Sequence, residues 1–121
     1  MSVLDGKGPI FVQIADRIAD DIVAGVYPEH GAIPSINDFS VFFRTAPMTV
    51  GKAITQLVDQ GVLYKKRGIG MFVAEGAPAL LRERRAQALR TEFIAPLLRE
   101  ADLIGVDLPT LHQLIDQEAS S

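Results

Sequence analysis

The 121-residue sequence contains no cysteine, no tryptophan and only two histidines. Without thiols there can be no disulfide, thiolate metal site or cysteine nucleophile, and nothing points to an oxidising compartment. His30 and His112 are far apart in the chain and no cluster of carboxylates accompanies them, so no metal site is expected. No apolar run approaches the ~20 residues that span a bilayer. The stretch from Met1 to Pro9 lacks both the basic and the apolar region of an export signal. A cytoplasmic protein without membrane contact is expected. No nucleotide-binding loop or nucleophile motif appears, and no pocket-forming motif accompanies Asp16, Asp20 and Asp21, which read as the polar side of a helix. An enzyme is not expected, nor is a cofactor.

A surplus of positive charge is missing as well, since the net charge is −3. This weighs against nucleic-acid binding, whose non-specific part comes from Lys and Arg neutralising phosphates. Distribution matters more than the sum. Lys65, Lys66 and Arg67 stand together with Lys52 upstream, and an acidic protein can carry a locally basic face.

Hydrophobic residues make up 48% and charged residues 22% of the chain, the mixture of a packed domain. From Ile10 to Ala24, apolar residues recur at Ile10, Ile14, Ile18 and Ile22, a helical period that Gly25 ends. Pro28, Gly31 and Pro34 mark a connector with one short extended piece. Pro34 and Ser35 then start a helix, with Ser35 as the cap and Phe39, Phe42 and Phe43 as its buried side. After a break at Arg44 to Ala46, Pro47 opens the next helix, in which Val50, Ala53, Ile54, Leu57 and Val58 keep the period until Gly61. Two short helices separated by a few residues form a helix-turn-helix. Beyond Gly61 the period changes to strand alternation, interrupted by Gly68, Ile69 and Gly70 and resumed at Met71, Phe72 and Val73. This pattern is a hairpin, the wing.

The fold class expected is therefore mainly α with a small β-hairpin wing: a winged helix-turn-helix over residues 1–76, followed by a helical region over 77–121. In the latter, Leu81, Leu89, Phe93, Leu97 and Ile104 mark a long amphipathic helix, kinked at Pro96. Gly105 closes it, and Asp107 caps another helix carrying Leu108, Leu111, Leu114 and Ile115. Two such helices bury each other poorly. A second copy of the chain is the economical partner, with Leu89, Phe93, Leu97 and Leu111 expected at the contact.

The succession Pro9, Ile10, Gln13, Ile14; Ile33, Pro34, Ser35; Thr49, Val50, Ala53, Leu57, Gly61, Leu63; and Arg67, Gly68, Gly70, Phe72, Val73 resembles the GntR superfamily of bacterial regulators. The tail, with Phe93, Ile94, Pro96, Leu97, Leu98 and residues 101–105, resembles its YtrA-type branch, whose members carry only two helices after the DNA-binding domain. The resemblance implies a homodimeric repressor of a transporter-linked operon, bound to double-stranded DNA at a roughly palindromic operator, with an effector of unknown chemistry as a further partner. It places DNA contacts at Ser35, Asn37, Pro47, Met48, Thr49, Lys52, Lys66, Arg67, Gly68, Ile69 and Gly70. Asn37, Arg44, Ala46 and Gly51 depart from the family pattern. The alternative of another class is a winged-helix module that binds protein, its DNA contacts weakened by those four departures.

Overall fold

A computed structural model of the chain describes residues 8–121. The first seven residues of the expected winged domain lie outside the described residues. Among the described residues no helix is long and apolar enough to cross a membrane.

Ile14, Ile18 and Ile22 stand one turn apart, and this spacing folds Ile10–Val23 into helix α1 with those three side chains, Ala15 and Ala19 turned inward. Ile10 is exposed at the first helical residue instead of continuing the stripe. Helix α2, Ile36–Phe43, begins at Ser35, whose Oγ accepts the Asp38 amide hydrogen at 3.1 Å. Phe39 and Phe43 are buried and stacked, with ring centroids 5.7 Å apart. Phe42, expected beside them, is 54% exposed. In a two-turn helix the i and i+4 positions take the inner face and leave the intervening residue at its edge.

The turn after α2 is closed by Arg44 in the left-handed region, φ +53°. The Thr45 amide donates to the Ser40 carbonyl, and the Ser40 hydroxyl returns a bond to the Thr45 carbonyl at 2.6 Å. Helix α3, Pro47–Asp59, follows with Pro47 in its first turn and Val50, Ala53, Ile54 and Leu57 buried. Strands β1 (Leu63–Lys66) and β2 (Gly70–Val73) pair antiparallel, Leu63 opposite Val73 and Lys66 opposite Gly70. The connector before α2 lies along β2. Ala32 bridges Phe72, and the amides of His30 and Ile33 donate to the carbonyls of Val73 and Met71. The base of the hairpin is thereby fixed to the helices, while its tip projects beyond the last ladder pair.

The chain divides into two compact units, one ending at Arg82 and the other running from Glu83 to Ser121. Helix α4, Ala77–Ala88, opens in the first of these: Ala77 and Leu81 are buried in the core formed by α1, α2, α3 and the hairpin. The winged unit therefore extends past residue 76. In the second unit a π-helical stretch, Leu89–Ile94, leads into α5, Ala95–Leu103, and the Ala95 amide donates to the Arg90 carbonyl five residues back. Pro96 has no amide hydrogen and its ring crowds the carbonyl four residues earlier, which a widened turn relieves. Helix α6, Leu108–Ser120, is capped by Asp107, whose carboxylate accepts the Thr110 amide hydrogen at 3.0 Å. Bonds from Thr110 hold the Asp107 carboxyl below its ordinary pKa.

Candidate nucleic-acid interface

Between α3, the start of α2 and the hairpin lies an open concavity of about 1420 Å³. Eight of the eleven expected contact residues line it: Ser35 and Asn37 from α2 and its cap, Met48 and Lys52 from α3, and Lys66, Gly68, Ile69 and Gly70 from the hairpin. The structure thus gathers onto one surface residues that are 35 positions apart in sequence. Pro47, Thr49 and Arg67 are not among the lining residues. Pro47 is exposed at the leading end of α3, Thr49 is half-buried, and Arg67 is exposed at the tip of the hairpin.

Local chemistry explains each placement. Ser35 spends one lone pair on the Asp38 amide, leaving its hydroxyl hydrogen for an outside acceptor. Ala46, at the position before α3, has no side chain to cap the helix, so no side-chain oxygen competes for the first amides of α3. Pro47 has no amide hydrogen and the Thr49 and Val50 amides donate to the Ala46 carbonyl, so it is the Met48 amide and the positive end of the helix dipole that favour an anion. Gly51 also lines the concavity, and a Cβ there would meet nothing within 4 Å, so the absent side chain keeps the surface of α3 open. At the tip, the Ile69 amide donates to the Lys66 carbonyl at 3.0 Å. Gly68 at φ +76° and Gly70 at φ +147° adopt the backbone this turn needs, which side-chain-bearing residues rarely reach.

The cations are not free-swinging. The Lys52 ammonium lies 5.9 Å from the centre of the Phe11 ring, and that of Lys66 lies 4.9 Å from the centre of the Phe72 ring. Phe72 in turn stacks on Tyr64 at 5.7 Å, and Tyr64 exchanges a hydrogen bond with His30 Nδ1 at 3.2 Å. Aromatic faces hold an ammonium electrostatically and restrict its long stem. Asp16, Asp20 and Asp21, the acidic side of α1, are absent from the lining, while Lys52, Lys65 and Lys66 are present with Asp59 as the one carboxylate. The basic face anticipated on a net-negative chain is therefore local to this surface. Arg44, for all its charge, does not line it.

Sequence reasoning missed Phe11, Ile36, Thr55 and Gln56, which line the concavity, and named Lys65 in the basic cluster without placing it among the contacts. Thr55 and Gln56 follow Lys52 by three and four residues, so the helical period already carried that signal. The place of Phe11 depends on how α1 crosses α3, which no local pattern encodes.

The assembled surface, a helix N-terminus and a cationic hairpin flanking a concavity, can be set beside known proteins. Residues 11–73 match the bacterial regulatory proteins of the gntR family. The chain belongs to the GntR family. Along 90% of its length it is 28% identical to the HTH-type transcriptional repressor YtrA of Bacillus subtilis, 83% of which is covered. A solved chain from Bacteroides thetaiotaomicron, described as a GntR-family transcriptional regulator, is 35% identical with a TM-score of 0.77, over 93% of this chain and 97% of that one. The DNA-binding domain of AraR, solved in complex with operator ORX1, is 35% identical over 56% of this chain and 82% of that one, with a TM-score of 0.55. Other curated relatives are longer, and the chain spans only 35% and 34% of two of them. With a winged helix-turn-helix, the chain is a member of a family of DNA-binding transcriptional regulators.

The four residues expected at a subunit contact are placed unequally. Leu89, Phe93 and Leu97 are exposed in the single chain, Phe93 to 64%. Leu111 is 6% exposed and already buried within its own chain, so it offers no surface to a partner.

Proposed function

We propose that the chain is a homodimeric repressor, acting in the cytoplasm, that seats two copies of the α3–hairpin surface on a roughly palindromic operator, in the manner its YtrA-type relatives suggest for a transporter-linked operon. The observation that carries this reading is the convergence of eight sequence-predicted contact residues on one concave, locally cationic surface. In it the leading turn of α3 meets base edges in the major groove, while Lys52, Lys66 and Arg67 neutralise phosphates and Gly68 and Gly70 allow close backbone approach. The exposed Leu89, Phe93 and Leu97, with Leu98 and Ile115, supply the apolar surface for a second copy. A twofold assembly then imposes a half-site spacing of about one helical turn of DNA, or a multiple of it.

The test is an electrophoretic mobility titration against the promoter of the chain's own gene at several salt concentrations. Wild-type protein is expected to show salt-sensitive, sequence-preferring binding. Lys52→Ala and Arg67→Ala should each weaken binding and lower the slope of log K against log salt by about 1. Absence of any sequence-preferring binding overturns the proposal in favour of a winged-helix module that binds protein.

A further inference from the structure

Two strongly exposed side chains lining the DNA-facing concavity are apolar, built of carbon and, in Met48, sulfur. Met48, in the leading turn of α3, is 79% exposed, and Ile69, at the hairpin tip, is 74% exposed. Neither belongs to the apolar residues packed on the core. Of the polar residues closest to Met48 along α3, Thr49 is half-buried and the Lys52 ammonium lies 5.9 Å from the centre of the Phe11 ring.

Resting on the DNA-binding reading above, we propose that Met48 is a specificity-determining residue that recognises the 5-methyl group of thymine. In the major groove every base edge presents hydrogen-bonding atoms, and the thymine methyl is the one apolar group among them. A thioether donates no hydrogen bond and accepts only weakly. Pressed against the amino group of cytosine or adenine, or the O6 and N7 of guanine, Met48 would strip water from polar atoms without replacing it, which is unfavourable. Against a methyl it buries carbon on carbon. Its position suits this contact, because side chains near the start of a helix lean toward the N-terminus and thus toward the base edges that a recognition helix meets end-on. Ile69, on the hairpin wall, adds apolar surface to the same concavity and no competing hydrogen bond.

The experiment begins with duplexes selected by the full chain from a random pool. In the selected duplex each thymine is replaced in turn by deoxyuridine, which removes one methyl group and leaves pairing intact. Binding is measured for the wild type and for Met48→Ala, whose fold is checked by its thermal transition. At one thymine of each half-site, the wild type should lose about fourfold in affinity, the worth of one buried carbon. Met48→Ala should bind the thymine and deoxyuridine duplexes equally there. Indifference of the wild type at every thymine overturns the inference, and so does a Met48→Ala variant that keeps the full discrimination. Both of those results leave the DNA-binding reading standing. Failure to select any duplex overturns that reading and the inference together.

Discussion

The two units of the chain differ in how they satisfy their apolar residues. In the winged unit, Ile14, Ile18, Ile22, Val50, Leu57, Val62 and Val73 are almost completely buried, and three helices and a hairpin share one core. In residues 83–121 only Ala101 and Leu111 are buried, while Leu89, Phe93, Leu97, Leu98, Leu103, Ile104, Leu108, Leu114 and Ile115 remain exposed. The first unit has completed its folding within one chain. The second presents the pattern of a core cut in half, which supports the proposed homodimer.

The largest expected effect breaks the second unit's association. Leu97→Asp should convert the dimer to a monomer in sedimentation velocity, with operator affinity falling roughly a hundredfold or more as the second half-site contact ceases to be intramolecular. An unchanged dimer would remove Leu97 from the contact. Next comes the winged unit's core, where Ile14→Ala should cost about 2–5 kcal/mol in denaturant unfolding while leaving native-state association intact. A variant that unfolded no more readily, or dissociated before it unfolded, would erase the contrast between the units. The smallest effect sharpens it within the winged unit. Arg44 occupies a left-handed position that glycine adopts without strain, so Arg44→Gly should stabilise the unit by about 1 kcal/mol. Because Arg44 does not line the concavity, operator binding by this variant should stay within about twofold, well below the 1.4 kcal/mol that separates tenfold affinities. A severalfold loss would instead make Arg44 a phosphate contact that compensates for Asn37.

Most of the fold was legible because its determinants are local. The period of Ile14, Ile18 and Ile22, the cap at Ser35, Pro47 at a helix start, and the glycines at 61, 68 and 70 each act within a few residues, and each element formed where they indicate. Phe42 shows the limit, since three closely spaced phenylalanines do not reveal which of them faces a neighbour that has yet to pack. Pro96 was recognised as an interruption, but whether a helix answers proline with a break or with a wider turn depends on the backbone around it, here Leu89–Ile94. The apolar stripe of its helix predicts Leu111 at the subunit contact beside Leu89, Phe93 and Leu97. In the single chain Leu111 is buried, which the spacing of its own helix does not encode. The residues that gather on the concavity were named through the family resemblance, whereas the aromatic rings beside Lys52 and Lys66 come from α1 and β2 and appear only once those elements are assembled.

The central claim is that duplex DNA lies against the leading turn of α3 and the hairpin tip, on a chain whose total charge is negative. Backbone amide chemical shifts followed during titration with a selected operator duplex test it most directly. The account predicts the largest changes at Met48, Lys52, Arg67, Gly68 and Ile69, with Asp16, Asp20 and Val26 unmoved. Changes concentrated on the acidic side of α1, with α3 and the hairpin silent, would contradict it.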